Sequence, residues 1–247
     1  MNLDFLTPAA HPPAGGEAPV ARSPIEATAR AAGARFEVRE GWSVAVDFGS
    51  TAQQEATAAA ETVGWADVSH LGKLELQAPS RELEAIAAAC GAGLQVGEAV
   101  RHGDAWWCRM TNSRALIIGD VAGVREPIDA ALADAGRAGV LDVSTAYAAM
   151  TLTGPLAREV FARFCALDLR PARTPVGALR PGSIGRQPGI LIREADERYL
   201  FLFGWATGEY MWSVVSDAGR HLGGRPIGAQ ALSVLAAGEI SEETVGA

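Results

Sequence analysis

Residues 67–99 read DVSHLGKLELQAPSRELEAIAAACGAGLQVGEA, and residues 142–179 read DVSTAYAAMTLTGPLAREVFARFCALDLRPARTPVGAL. Both segments begin with Asp-Val-Ser, continue as an alternating strand and break at a proline, Pro79 or Pro155. Each then shows apolar residues at the three- and four-residue spacing of a helix and leads to a Val-Gly pair. Such an internal repeat predicts two units of the same structure, with a helix of similar length in each.

The chain that follows each segment extends the repeat, because each copy continues with two strands and a second helix. The predicted elements are Ala105–Met110, Arg114–Ile118 and Val124–Ala135 in the first copy, and Gly189–Arg193, Tyr199–Phe203 and Glu209–Leu222 in the second. A strand–helix–strand–strand–helix unit predicts an α+β fold of ferredoxin-like mixed sheets with helices on one face. Two such copies about a pseudo-twofold axis would enclose a shared groove, which is a common place for a ligand.

The sequence before the repeat predicts a lead-in to the first lobe. Ser23-Pro24-Ile25-Glu26 is typical of a helix start, and this helix would run to about Ala32 and stop at Gly33. Arg35–Asp47 alternates like two strands around a Glu40-Gly41 turn, and Gln53–Val63 is Ala-rich and helical. The domain boundaries that follow are a flexible tail at 1–22, a first lobe at 23–140, a second lobe at 141–235 and a C-terminal tail at 236–247.

Composition excludes several classes of function. The chain has 247 residues, of which 49% are hydrophobic, so it can bury a large core, and its net charge of −8 disfavours a nucleic-acid binder. Three widely spaced cysteines support neither a disulfide framework nor a zinc knuckle, and the spacing of the four histidines predicts no metal site. The chain shows no secretory signal and no apolar stretch of membrane-spanning length. We expect a soluble cytoplasmic protein without membrane or nucleic-acid partners.

Several motifs resemble the aminomethyltransferase family of the glycine-cleavage T-protein. The motifs that resemble its opening signature are Gly33-Ala34-Arg35-Phe36, Glu40-Gly41-Trp42 and GWADVSHLGKLEL at 64–76. LTGPLAR at 152–158 resembles its second signature, and the second half of the chain also resembles the gamma subunit of sarcosine oxidase, including Asp168-Leu169. The resemblance covers about residues 23–230. It implies the family's folate-binding fold, tetrahydrofolate as cofactor, and transfer of a methyl or methylene group from a small amine or methyl donor.

The sequence also departs from the family pattern. The C-terminal barrel of the family, its paired-aspartate hairpin and its folate-clamping GYTGE segment are missing, and residues 192–198 read IREADER in place of the last. These losses favour a non-catalytic folate-binding or structural subunit, whose partner would be a flavin-dependent demethylase or a larger related chain. The retained opening signature favours an enzyme. A binding protein for another flat acid ligand is a third possibility.

Asp120 is the candidate catalytic residue, because two alternative alignments with the family both place it at the pocket. One alignment puts it on a paired acid and the other on a folate-contacting asparagine. An ionised carboxylate there would position the amine and stabilise developing positive charge. The alternative is an Asp at a strand–helix turn that accepts backbone N–H bonds.

Other residues are candidates for the folate pocket. Asp196 and Glu197 lie where the resemblance places the family's folate glutamate, which can pair with the N3–H and 2-amino group of a pterin; the alternative is a solvated hairpin turn. His70 would line the pocket or serve as a structural histidine, and Trp205 and Tyr210 would stack on a flat ring or pack in a core. Arg193, from the segment that replaces GYTGE, is the sixth residue assigned to cofactor binding.

Overall fold

The computed structural model describes residues 19–133 and 136–245. Residues 1–18 of the predicted tail, and Ala135 of a predicted helix, lie outside the described residues. In chain order the elements are β1 (Ala21–Arg22), α1 (Glu26–Ala31), β2 (Arg35–Arg39), β3 (Trp42–Asp47), α2 (Ala52–Glu61), β4 (Gly64–Asp67), β5 (Gly72–Gln77), α3 (Ser80–Ala89), β6 (Ala99–His102), β7 (Ala105–Thr111), β8 (Arg114–Gly119), α4 (Ala122–Ala133), β9 (Gly139–Asp142), β10 (Tyr147–Thr153), α5 (Ala157–Phe161), β11 (Leu179–Ile184), β12 (Gln187–Ala195), β13 (Arg198–Gly204), α6 (Gly208–Arg220), β14 (Arg225–Pro226) and α7 (Ala229–Val245).

These elements form two compact units. Unit 1 contains the described residues of Met1–His70, Met150–Phe164 and Ala206–Ala247, and unit 2 contains those of Leu71–Ala149 and Cys165–Trp205. The lobe and tail boundaries expected from the repeat stay a prediction. Helix α7 occupies most of the segment expected to be a C-terminal tail.

Unit 1 is built from the lead-in and the chain's later helices. The predicted hairpin is confirmed: β2 pairs antiparallel with β3, and Glu40 and Gly41 both have the positive φ that a tight hairpin turn requires. Strand β1 runs parallel to β3. Strand β4 pairs antiparallel with Met150–Thr153 of β10 and parallel with β14. An alanine-rich face of α2 packs with α7 around the buried Ile227.

Unit 2 contains a five-stranded antiparallel sheet in the order β6-β7-β8-β5-β9 and an antiparallel group of β11, β12 and β13. Helices α3 and α4 supply apolar side chains to the core beside the five-stranded sheet, among them Leu83, Ile86 and Ile128. These residues recur at helical spacing, which is why the pattern identified the helices.

The predicted repeat is present as β5–α3–β7–β8–α4 and β10–α5–β12–β13–α6, and the α+β class is confirmed. The described residues form no C-terminal barrel. One expectation was wrong: the first helices of the two copies differ in length, with 10 residues in α3 and 5 in α5. Helix α5 stops early because the next residues pair with β11, through a bridge between Cys165 and Ile184 and a 3.2 Å bond from Ala166 N to Ser183 O.

Candidate functional site

The Asp-Val-Ser motif forms the same turn in both copies. The Asp67 carboxylate accepts the Ser69 backbone N–H at 2.9 Å, and the Asp142 carboxylate accepts the Ser144 N–H at 2.9 Å. An Asp side chain commonly closes a turn in this way. The need for the same turn therefore explains why both copies contain the triplet Asp-Val-Ser.

Lys73 belongs to the opening signature but is not among the residues assigned to the site from the sequence. Its side chain is fully buried, and its Nζ donates to the Ser144 carbonyl at 3.3 Å. The Lys73 backbone N–H donates to Ser144 Oγ at 2.9 Å, and the Lys73 carbonyl accepts Val143 N–H at 2.9 Å. Lys73 thereby holds the second Asp-Val-Ser turn against β5. The sequence signal that could have found it is the placement of Lys73 and Glu75, two charged residues, beside the apolar Leu74 and Leu76 in one short strand, where both charged residues are buried.

Asp120 follows β8 at the turn that leads into α4. Its carboxylate accepts the Ala122 backbone N–H at 3.1 Å, and its own N–H donates to the Asp104 carbonyl at 3.2 Å. The side chain is exposed. The turn-closing contact expected as the alternative is therefore present, and the catalytic role of Asp120 stays a prediction.

Asp196 and Glu197 form the exposed tip of the hairpin between β12 and β13. Arg193, in the same hairpin, is 4% exposed and donates to the Asp196 carboxylate at 3.0 Å and to the Asp196 carbonyl at 2.9 Å. Glu197 takes part in no ion pair among the described residues. The hairpin therefore presents one carboxylate already bound to a buried arginine beside one that is available to a ligand.

Glu194 is the sheltered acid of this hairpin. Its carboxylate accepts the Trp106 indole N–H at 2.7 Å and pairs with Arg198 at 3.3 Å. Trp106 belongs to the first copy of the repeat and Glu194 to the second, so this contact joins the two copies within unit 2. Both oxygens of Glu194 are therefore occupied by contacts within the protein. In the segment that replaces the family's GYTGE, Glu194 has a structural role.

The Val-Gly pairs of the two copies meet in unit 2. Ala99 N donates to Gly177 O at 2.7 Å, and Leu179 N donates to Gly97 O at 2.9 Å. These reciprocal bonds flank a bridge between Glu98 and Ala178. The pairing has the local symmetry of a pseudo-twofold axis.

A buried arginine supports each Val-Gly pair. Gly97 N donates to Arg109 O at 3.0 Å, and Gly177 N donates to Arg193 O at 2.8 Å. The Arg109 guanidinium donates to Leu94 O at 3.2 Å, and the Arg193 guanidinium donates to Thr174 O at 2.9 Å. Both arginines precede a bulge in their strand. Arg193, assigned to cofactor binding from the resemblance, thus has a structural counterpart in the other copy.

The residues assigned to the site from the sequence are divided between the two units. His70 and Tyr210 belong to unit 1, whereas Asp120, Arg193, Asp196, Glu197 and Trp205 belong to unit 2. His70 is half-buried at the turn after Asp67, and Tyr210 is 45% exposed on α6. Trp205 is half-buried in a 3-10 turn, where its backbone N–H donates to Ala146 O at 3.1 Å. Their roles in binding stay predictions.

The described part of the chain holds no cluster of three His, Cys, Asp or Glu residues that could bind a metal, and none of its helices is long and apolar enough to cross a membrane. All three cysteines are free thiols. Burial raises the pKa of each above its ordinary value, most strongly for Cys108, where the nearby Glu194 charge adds to the effect. A raised thiol pKa disfavours the nucleophilic thiolate.

We therefore expect Cys108 to resist thiol reagents while the protein is folded. At neutral pH a disulfide reagent should modify Cys108 only in denaturant, whereas half-buried Cys90 and Cys165 should react slowly without it. Labelling followed by peptide mass spectrometry measures each site separately. Modification of native Cys108 at the rate of a free cysteine would show that the thiol is accessible and ionised.

Comparisons with known proteins place the chain in a family. The model of the GCVT N-terminal domain matches residues 25–239, and the chain belongs to this family. The predicted membership of the aminomethyltransferase family is confirmed. A comparison with curated proteins finds no match.

Two of the solved structures that match illustrate the shared fold. A chain of heterotetrameric sarcosine oxidase from Corynebacterium sp. U-96 is 24% identical with a TM-score of 0.61, over 69% of this chain and 92% of that one. Glycine cleavage system aminomethyltransferase T from Bartonella henselae is 14% identical with a TM-score of 0.69, over 86% of this chain and 60% of that one. The chain thus spans about 60% of the Bartonella protein's length.

Proposed function

We propose that the protein is a tetrahydrofolate-dependent component that receives a methyl or methylene unit from a small amine or methyl donor. The observation that carries this proposal is the family match over residues 25–239, which includes both signatures read from the sequence. The proposed meeting place of donor and folate is the groove expected between the two copies of the repeat. We also propose that the protein acts in the cytoplasm.

Glu197 and Asp120 are the acids that fit this chemistry, because both are exposed and neither forms an ion pair among the described residues. Glu197 would accept two parallel hydrogen bonds from a pterin, and Arg193 would act as a positioning residue by holding the neighbouring Asp196. Asp120 would orient the donor amine and stabilise positive charge that develops on the transferred carbon. Trp205, Tyr210 and His70 would line the pocket. When bound, tetrahydrofolate supplies the nitrogen that accepts the one-carbon unit.

Isothermal titration calorimetry of the whole chain with tetrahydrofolate tests the binding half of the proposal. Saturable heat with one folate per chain supports it. If tetrahydrofolate at millimolar concentration gives no heat, and protein-observed NMR spectra do not change, the folate proposal is overturned.

Replacing Glu197 with glutamine should weaken tetrahydrofolate binding by about tenfold or more, because an amide would turn an N–H donor towards the donors of the pterin. Asp196→Asn is the matched control one residue away. We expect Asp196→Asn to change the affinity about threefold or less, because the asparagine side-chain oxygen can still accept the bond from Arg193 that holds the hairpin. Equal affinity of Glu197→Gln and the unchanged chain would remove Glu197 from the site.

A non-catalytic subunit of a sarcosine-oxidase-like demethylase is the second candidate. It is supported by the hairpin at 192–198, in which Glu194 and Asp196 are both held by internal contacts and the family's GYTGE is absent. Neighbouring genes for a flavin-dependent demethylase, and co-purification of its chains with this protein, would favour this candidate. Methylene transfer to tetrahydrofolate by the chain alone would favour the enzyme.

A further inference from the structure

We propose that unit 1 carries a second small-molecule site, which binds a small α-amino acid through both of its charged groups. The site is a cavity of about 320 Å³ lined by residues that include Phe48, Ser50, Glu55, Gly224 and Arg225. None of these residues belongs to the assignments made for folate. The proposal therefore does not rest on the proposed function.

Glu55 supplies the negative charge of this cavity. It is 1% exposed, and its two carboxylate oxygens accept the Phe48 N–H at 2.6 Å and the Gly228 N–H at 2.8 Å. These bonds fix the direction of the carboxylate and leave further acceptor positions on each oxygen. Among the described residues no Lys, Arg or His pairs with Glu55. A cationic group brought by a ligand would supply the missing counter-charge.

Arg225 supplies the positive charge. Arg225 begins β14, and its backbone N–H donates to Val63 O at 3.2 Å, beside the start of β4. The position of the main chain is therefore fixed, whereas the residue is exposed. The guanidinium forms no ion pair and no side-chain hydrogen bond among the described residues. An unpaired guanidinium at the edge of a cavity is well suited to a carboxylate, which it can bind through two parallel bonds.

The two opposite charges on one cavity select the class of ligand. A simple anion would gain Arg225 but meet the buried Glu55 charge, and a simple cation would gain Glu55 but meet Arg225. A zwitterion satisfies both. The cavity volume lies at the lower end of small-molecule sites, which suits an amino acid with a small side chain. Phe48, whose ring stacks on Trp212 at a centroid distance of 6.0 Å, gives a fixed apolar wall.

The experiment uses the whole chain with L-alanine, and with propionate and ethylamine, which each keep one of its two charged groups. Binding is measured by calorimetry and by NMR shifts of the Ser50 and Gly224 amides. We expect L-alanine to bind at least about tenfold more tightly than propionate or ethylamine. No shift with L-alanine, or equal binding of L-alanine and propionate, would overturn the proposal.

Arg225→Gln is the variant of choice, because Arg225 is exposed and its loss leaves the Glu55 bonds intact. We expect the variant to bind L-alanine at least about tenfold more weakly and to keep its affinity for tetrahydrofolate. Arg220→Gln, an exposed arginine at the end of α6 that does not line the cavity, is the matched control and should bind L-alanine normally. Equal loss in both variants, or none in Arg225→Gln, would contradict the assignment.

Discussion

Replacing Arg109 or Arg193 with alanine is expected to lower the free energy of unfolding by about 3 kcal/mol in each case. Both residues are at most 4% exposed, and both side chains bind a backbone carbonyl three residues before the glycine of a Val-Gly pair. Truncation would leave these carbonyls without their partner and open a cavity. Arg109 should be the costlier loss, because its guanidinium also contacts two side chains, Ser80 and Glu84, each at 2.9 Å, whereas that of Arg193 also contacts one, Asp196.

Urea unfolding followed by circular dichroism measures the effect. Arg125→Ala is the control, since Arg125 is a half-exposed helical arginine whose partner Asp129 is also exposed, and such pairs contribute about 0.5 kcal/mol or less. Arg109→Lys and Arg193→Lys should recover part of the loss, because lysine keeps the charge but cannot reproduce the fork of donors. A loss below about 1 kcal/mol in both alanine variants would show that the two arginines do not support the Val-Gly pairs.

The arginines also show what a repeat in sequence can and cannot reveal. The Asp-Val-Ser, proline and Val-Gly landmarks could be aligned because each is a local signal for a turn or an element boundary. Arg109 and Arg193 occupy equivalent places in the fold, yet the segments around them share no motif. Their equivalence arises from hydrogen bonds to residues distant along the chain, which no local pattern records.

Two further differences between the structure and the prediction from sequence also arise from contacts between residues that are distant along the chain. The apolar spacing at Val160, Phe161 and Phe164 predicted a longer helix, but pairing of Cys165 with Ile184 ends α5 at Phe161. Tertiary pairing overrides local helix propensity here. Lys73 looked like the polar member of an alternating strand, whereas its complete burial depends on Val143 and Ser144, some 70 residues later. Elements were therefore predictable, and the side chains that join them were not.

Family membership identifies the fold, but it does not identify the acid that would take part in one-carbon transfer. The proposed role of Asp120 is therefore tested by substitution. Asp120→Asn is expected to reduce the rate of methylene transfer to tetrahydrofolate by about 100-fold, because an amide cannot stabilise positive charge on the transferred carbon. Formaldehyde is the simplest donor, since its carbon forms two bonds to tetrahydrofolate nitrogens and its oxygen leaves as water. The rate is measured above the uncatalysed reaction.

Asparagine is the decisive substitution because it separates the two roles of Asp120. The Asp120 carboxylate closes a turn by accepting the Ala122 N–H at 3.1 Å, and asparagine serves equally well in such turns. If Asp120 only closes the turn, Asp120→Asn leaves stability and rate unchanged; if it is catalytic, the rate falls while the melting temperature stays the same. Asp104→Asn is the control, since Asp104 is 87% exposed at its side chain and lies at the same corner, where its carbonyl accepts the Asp120 N–H. An equal fall in rate for Asp104→Asn would attribute the effect to the charge of this surface rather than to Asp120.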